Sequence, residues 1–451
     1  MPSTKIAVLG FGREGRSILK FLKKSQAWRR AEIRVLDRKL NRNYLKNLSK
    51  FDFVFRSPGV PYNLKELQKA RRSGVKFSSA TTLFFNNCPS KIIGITGTKG
   101  KSTTATILYR ILKAAHKPVF LAGNIGKPAL DILPRLKKNS LVILELSSFQ
   151  LQDLNKSPHI AVVLDVFPDH QNAHLNLKEY YDAKTNIARH QTKEDKAFFF
   201  SAKGGSASGG KNSALSRRAA QKSRGKKIAI DDKKFTLFRP EDLKIMGYHN
   251  FKNAVMAATV ALNLGIPKKT ILRVVKNFNG LEHRLEFVRQ IQKIKFYNDS
   301  ASTNPQTTAA AIRAFSGMGN ATSDKENRIK KNKSNKHVAL TSSLILIAGG
   351  QDKGLSYKPL AQALKDSNTK LVVLFGENKN KIAKSIKRSG APIKFAKTLR
   401  QTVNIAYKCS RFYILDSKFF ILFSPGAASF DMFKNYADRG QRFKKLINKL
   451  R

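Results

Sequence analysis

Cysteine is scarce in this chain. Cys88 and Cys409 are the only two in 451 residues, and they lie far apart. That excludes a disulfide framework and a cysteine-rich metal site, so a reducing cytoplasm is the expected setting. Long apolar runs are also lacking, which argues against membrane insertion. The chain runs almost at once into a strand pattern, KIAVLG from Lys5, so no signal peptide is expected. Acidic residues are the third shortage: 29 Asp and Glu stand against 86 Lys and Arg, a net charge of +57. Such a field attracts anions. The cations are spread along the chain rather than gathered in a tail, so no specific nucleic-acid contact is expected. A nucleotide substrate would still profit from the field. What remains is 41 % hydrophobic and long enough for two to four domains with sizeable cores.

The most informative stretch is KIIGITGTKGKSTT, Lys91 to Thr104. Ile92 to Thr96 reads as a buried parallel strand. A glycine turn, Gly97 to Gly100, follows, then Lys101-Ser102-Thr103, and Ile107, Leu108, Ile111 and Leu112 mark one face of a helix. Strand, glycine loop, Lys-Ser-Thr and helix form a phosphate cradle, in which backbone N–H groups close around phosphate oxygens. Lys101 can reach a terminal phosphate, and Ser102 or Thr103 can offer a hydroxyl to Mg²⁺. The strict GxxxxGK[ST] spacing is not met, because position 95 is Ile.

Upstream, KIAVLGFGREGRS places Gly10, Gly12 and Gly15 in GxGxxG spacing between a strand and a helix, and a second strand ends at Asp37. A third strand, FDFVF, ends in the turn Arg56-Ser57-Pro58-Gly59, before a helix near Leu64 to Arg72 and a short strand, VKFSS. Downstream of the cradle, VFLAGNIGKP carries Asn124 at a strand end. SLVILELSSFQL reads as a strand ending in Glu145, Ser147 and Ser148. A carboxylate at such an end, beside a phosphate loop, stands where a Mg²⁺ ligand is wanted. HIAVVLDVFPDH closes on Asp169-His170, and a helix from about Leu177 carries Tyr180, Ala183, Lys184 and Ile187.

Residues 201 to 227 are rich in Gly, Ser, Lys and Arg and read as a mobile surface loop. Gly317 to Lys336 reads as a second such insert. Between them lie the helix of GYHNFKNAVMAATVALNLG, a helix opened by Pro267, and a strand pair ending at Asp299. Three strand–helix alternations close the chain: SLILIAGGQDKG, TKLVVLFGE and KFFILFSPGAAS. The expected class is therefore α/β, with ligand sites at the carboxyl edges of parallel sheets.

In chain order, GTKGKSTT, GNIG, LELSSFQL, PDH followed by a helical AK, GYHNxxN, HR, NDSxxTN, GGQDKG and SPGAASFDMFKNYADRG resemble the Mur ligase family. LELSSFQL and the C-terminal run are most similar to its D-glutamate-adding branch. The resemblance implies three domains. Residues 1–90 would be a Rossmann-like domain binding the UDP end of UDP-N-acetylmuramoyl-L-alanine. Residues 91–280 would be a P-loop ATPase domain, and 281–451 a Rossmann-like domain binding D-glutamate. It implies ATP and Mg²⁺ as cofactors, an acyl-phosphate intermediate, and a monomer. Carried over by matching motif, Gly97, Thr98, Lys99, Gly100, Lys101, Ser102 and Thr103 would hold the ATP phosphates, with Asn250, Arg284 and Asp299 on the adenosine and γ-phosphate side. Glu145 would complete the metal site of Ser102. His170 and Lys184 would form a second, with the lysine carbamylated. Lys101, His170 and Lys184 would act in catalysis. Asn124 and Ser147 would meet the muramoyl-alanine end, Asp37 and Arg38 the uracil, and Gly12 and Gly59 the diphosphate. Thr303, Lys353, Ser429, Phe430 and Tyr436 would form the D-glutamate pocket.

Two departures stand out. Ala301 occupies a position where many family members carry lysine, and QNAH, residues 171 to 174, lacks the usual acidic–basic pair. The nearest rival is a Mur ligase of another branch, adding L-alanine, a diamino acid or D-alanyl-D-alanine, and a folylpolyglutamate synthetase would share the ATP domain but not need the N-terminal GxGxxG unit. A diamino-acid ligase would carry a DNPR-like motif, and none follows GGQDKG. A NAD-dependent oxidoreductase using Gly10 to Gly15 has no use for the GKST loop or Glu145. A basic, non-catalytic nucleic-acid-binding NTPase relative would not need Glu145, His170 and Lys184 to meet at one point.

Overall fold

The computed structural model describes residues 3–166, 174–201, 217–245, 247–315, 343–413 and 419–450. His170 and the insert from Gly317 to Lys336 lie outside them. The chain divides into two units, Met1–Phe238 with Lys252–Val275, and Arg239–Phe251 with Lys276–Arg451.

The first unit holds two parallel sheets. One comprises β1 (Lys5–Leu9), β2 (Glu32–Leu36), β3 (Phe53–Arg56) and β4 (Lys76–Ser79), in the order β2-β1-β3-β4. Strand β1 is buried on both faces and reads as one apolar run for that reason. Ile6 and Val8 join Ile18 and Leu22 of the helix Arg13–Lys24, while Ala7 and Leu9 join Leu67 and Ala70 of the helix Lys65–Arg72.

The second sheet comprises β5 (Lys91–Thr96), β6 (Val119–Gly123), β7 (Leu141–Glu145), β8 (Ile160–Val163), β9 (Lys196–Phe200) and β10 (Lys226–Ile230). Its order is β10-β9-β8-β5-β7-β6, parallel throughout. From β5 the chain passes to the edge strand β6, returns through β7 beside β5, and then crosses to β8 on the other side. The loop after β5 therefore opens at the topological switch point, where such sheets bind ligands. The two sheets of this unit are joined by Arg56 at the end of β3. It is 1 % exposed and pairs with Asp153 at 2.5 Å, while donating to the carbonyls of Val60 and Phe149.

The second unit holds β11 (Glu286–Ile291), β12 (Ile294–Asn298), β13 (Ser343–Gly349), β14 (Thr369–Phe375), β15 (Ile393–Phe395) and β16 (Phe419–Phe423), in the order β11-β12-β16-β13-β14-β15. Only the β11–β12 hairpin is antiparallel. Arg439 is fully buried beneath the carboxyl ends of these strands. It donates to Ser300 and to the carbonyls of Ala427 and Ala428, and burial pushes its pKa down to about 10.

Part of the first insert corrects the expectation of a mobile loop. Residues 202–216 lie outside the description. Residues 217–221 are helical, and β10 already begins at Lys226. Ala219 and Ala220 are buried in the core shared by the first two sheets. Two alanines suffice because a core gap can be filled by small side chains, which composition alone does not reveal. Strand β7 also stops earlier than expected. It ends at Glu145, and Ser147 caps a short helix, Ser148–Leu151, through a capping box with Gln150.

Candidate functional site

The loop after β5 is shaped by its glycines. Gly100 adopts φ +83°, and a side chain there would overlap Asn253. Only glycine lets this turn close while the helix Lys101–Ala114 begins directly behind it. The Lys101 ammonium curls over the loop, donating to the carbonyls of Gly97 at 3.0 Å and Thr98 at 3.1 Å. Thr98 shares a hydroxyl hydrogen bond of 2.8 Å with Tyr180, on the helix Leu177–Arg189. Lys184, one turn further on, is 3 % exposed and donates to the Gly97 carbonyl at 2.9 Å. Its ammonium lies 4.9 Å from the centre of the Tyr180 ring.

These groups line one cavity of about 330 Å³. Gly97, Thr98, Lys101 and Lys184 form one side, Asn124, Ser147 and Ser148 another, and Pro58 and Gly59 from the end of β3 a third. Five residues singled out in separate stretches of sequence, Gly59, Lys101, Asn124, Ser147 and Lys184, are thus brought together.

Glu145 lies behind this wall, 3 % exposed. The Asn124 amide approaches its Oε1 at 3.5 Å, and its Oε2 is buried without a hydrogen-bond partner. Such an oxygen carries a desolvation cost that a bound cation would remove. Ser102 and Thr103 are buried in the first turn of the adjoining helix. Carboxylate and hydroxyl oxygens are the donors that Mg²⁺ prefers, so these residues fit that ion. Among the described residues no group of three His, Cys, Asp or Glu forms a ready metal cluster.

At the amino end of the same unit, Gly15 allows the helix Arg13–Lys24 to lie against the carbonyl of Gly10, where any side chain would overlap. Gly12 is exposed, with open space beside it. Asp37 accepts the N–H groups of Phe11 at 2.6 Å and Lys39 at 2.8 Å, and these hold its carboxyl below the usual range. Arg38 is exposed next to it.

The remaining expected site residues belong to the second unit. Asp299 is buried and accepts hydroxyls from Ser302 at 2.6 Å and Ser424 at 2.7 Å, and the Leu285 N–H at 3.2 Å. Burial raises its pKa to about 6. It therefore fastens the turn after β12 to the end of β16. Arg284 sits in a turn whose flanking residues, His283 and Leu285, have φ of +65° and +46°, a conformation non-glycine residues seldom adopt. Asn250 lies in the first turn of the helix Tyr248–Asn263. Thr303 is half-buried in the turn before the helix Pro305–Phe315, and Lys353 is exposed after β13. Ser429 is buried, whereas Phe430 and Tyr436 are exposed.

Sequence reasoning missed several residues around the cavity. His174, in the departing QNAH segment, is buried with Nε2 3.0 Å from the Ser148 hydroxyl, and stacks on Phe149. Its place after the PDH motif was the available signal. Arg13, Glu14 and Gln150 hold neighbouring loops through contacts that leave no periodic trace in sequence.

The Mur ligase middle domain profile matches residues 95–261. The UDP-N-acetylmuramoylalanine–D-glutamate ligase of Acetivibrio thermocellus is 35 % identical over 91 % of this chain and 85 % of its own length. That of Clostridium acetobutylicum is 32 % identical over 99 % and 97 %. Among solved structures, the UDP-N-acetylmuramate–alanine ligase of Thermotoga maritima shares the fold with a TM-score of 0.55 at 17 % identity, covering 98 % of this chain and 99 % of that one. The chain belongs to the Mur ligase family, in the branch of the UDP-N-acetylmuramoylalanine–D-glutamate ligases.

Proposed function

We propose that this chain joins D-glutamate to UDP-N-acetylmuramoyl-L-alanine with conversion of ATP to ADP and phosphate, a step of peptidoglycan precursor synthesis in the cytoplasm. The observation that carries the reading is the single cavity shared by the phosphate loop, Lys184, Asn124 and Ser147. A carboxylate is a poor electrophile. Its oxygen attacks the γ-phosphorus of ATP, the bond to the β-phosphate oxygen breaks, and ADP leaves. The amine of D-glutamate then attacks the acyl carbon, loses its proton, and phosphate departs with the electron pair. Both steps bring anions together, so cations and N–H donors are needed where charge gathers.

In this reading Gly97 to Gly100 cradle the ATP phosphates by their backbone N–H groups, and Lys101 swings from its two carbonyl partners to the γ-phosphate. Ser102 and Glu145 would hold one Mg²⁺, and Lys184, once carbamylated, would serve a second together with His170. Bound there, Mg²⁺ neutralises phosphate charge and polarises the transferring group. Asn250, Arg284 and Asp299 serve the nucleotide, Asp299 by positioning its turn. Asp37, kept ionised by two backbone N–H groups, accepts from the uracil beside Arg38, and Gly12 and Gly59 admit the diphosphate. Thr303, Lys353, Ser429, Phe430 and Tyr436 receive D-glutamate. The functional segments are 1–90, 91–280 and 281–451.

The mechanism is tested by labelling the acceptor carboxylate with oxygen-18. One labelled oxygen should appear in the released phosphate. Phosphate without label would exclude the acyl-phosphate route.

A further inference from the structure

Arg13 and Glu14 fill the two open positions between Gly12 and Gly15, and both side chains reach away from their own sheet. The Arg13 guanidinium donates to the carbonyl of Gly126 at 2.6 Å. That carbonyl belongs to the GNIG loop, whose ends are closed by the Gly123 N–H on the Lys127 carbonyl at 3.1 Å, and whose Asn124 N–H bonds the Glu145 carbonyl at 3.0 Å. Glu14 Oε1 accepts from the Gln150 amide at 2.6 Å. Gln150 in turn accepts the N–H of Ser147 at 2.9 Å and its hydroxyl at 3.0 Å. One turn along the same helix, Ser17 donates to Asp131 at 2.7 Å, fastening the helix to the segment that follows the GNIG loop. Two adjacent residues of the glycine motif therefore hold the two loops that present Asn124 and Ser147 to the cavity. The second Glu14 oxygen is buried without a partner, and burial pushes its carboxyl pKa up.

We propose that Arg13 and Glu14 are positioning residues that tie recognition of the muramoyl-alanine end of the acceptor, at Asn124 and Ser147, to the glycine loop where its diphosphate sits. The inference rests on the function proposed above and adds a role for two residues that neither the phosphate motif nor the cavity lining singles out. It makes the two ends of the acceptor separable. UDP alone reaches only the glycine loop, whereas the full acceptor also needs the wall that Arg13 and Glu14 hold.

The test is calorimetric titration of the full chain with UDP and, separately, with UDP-N-acetylmuramoyl-L-alanine. Glu14→Ala is expected to weaken the full acceptor about 10-fold or more, by analogy with the loss of outer-shell support at metal sites, and to leave UDP affinity within about twofold. Glu14→Gln, which can still accept from Gln150, should restore the acceptor to within about threefold. Arg13→Met acts through a separate bond at an exposed position and should show the same selective loss without threatening the fold. Steady-state rates should show a raised KM for the acceptor and an unchanged KM for ATP. Equal losses for UDP and the full acceptor, or no loss for either ligand in both Glu14→Ala and Arg13→Met, would overturn the inference. Wild-type protein that binds neither ligand would overturn the function reading itself, and the inference with it.

Discussion

The Lys184 ammonium donates to the carbonyl oxygen of Gly97 at 2.9 Å, so the helix Leu177–Arg189 is hooked to the first residue of the phosphate loop. The carbamate proposed for Lys184 would form by attack of its neutral amine on CO2 with loss of a proton, leaving one N–H able to keep the Gly97 contact. Lys184→Ala is then expected to lose at least about 100-fold in turnover, as when a group acting on developing charge is removed, with partial rescue by acetate. Lys184→Arg should be inactive. An active Lys184→Arg enzyme, or an alanine variant that acetate cannot rescue, would favour a plain ammonium contacting phosphate.

Glu145 offers a way to separate metal binding from folding. Its Oε2 has no hydrogen-bond partner among the described residues, so Glu145→Gln should melt at the same temperature as wild type or slightly higher. The rise in melting temperature that Mg²⁺ and ATP together give wild type should vanish, and turnover with it. Retention of both would leave Glu145 as a buried strand end only.

How far the sequence carries depends on the kind of contact. GTKGKSTT was legible as strand, loop and helix because each part has its own local signature, and β5 and the helix Lys101–Ala114 lie where those signatures put them. Strand β9, KAFFF, is a half-buried lysine followed by four buried residues without alternation, and so short an apolar run has no readable period. Arg56–Asp153 and Glu14–Gln150 join residues 97 and 136 positions apart, and side-chain pairs at that range leave no pattern in one chain. The stretch after Arg217 misled for a different reason: polar composition dominated, while Ala219 and Ala220 join the apolar core.

That packing can be measured. Ala220 has no exposed surface, so Ala220→Asp would bury a charge without a partner and should destabilise the first unit by about 3 kcal/mol or more. Lys222→Asp, at an exposed position two residues on, should leave the melting temperature within a degree or so. Equal melting temperatures for both variants would restore the picture of a detached loop.

Asp299 makes the second unit sensitive to pH. Its pKa is about 6 in the folded chain, against an ordinary value of 3.8. Between those values the native state holds a proton that the unfolded chain has lost, so this group's contribution to stability falls as pH rises through the window. Asp299→Asn should therefore gain stability relative to wild type from about pH 4 to about pH 7, read as the difference between their denaturant midpoints. A difference independent of pH would mean that Asp299 is ionised throughout.

The central claim is the identity of the added amino acid, and phosphate release tests it most directly. The full chain is incubated with UDP-N-acetylmuramoyl-L-alanine, ATP and Mg²⁺, and with D-glutamate, L-glutamate, L-alanine or L-lysine in turn. D-glutamate should give strong release together with a new UDP-linked product, and the other three should give little. Equal turnover with L-alanine, or release that needs no amino acid at all, would contradict the account.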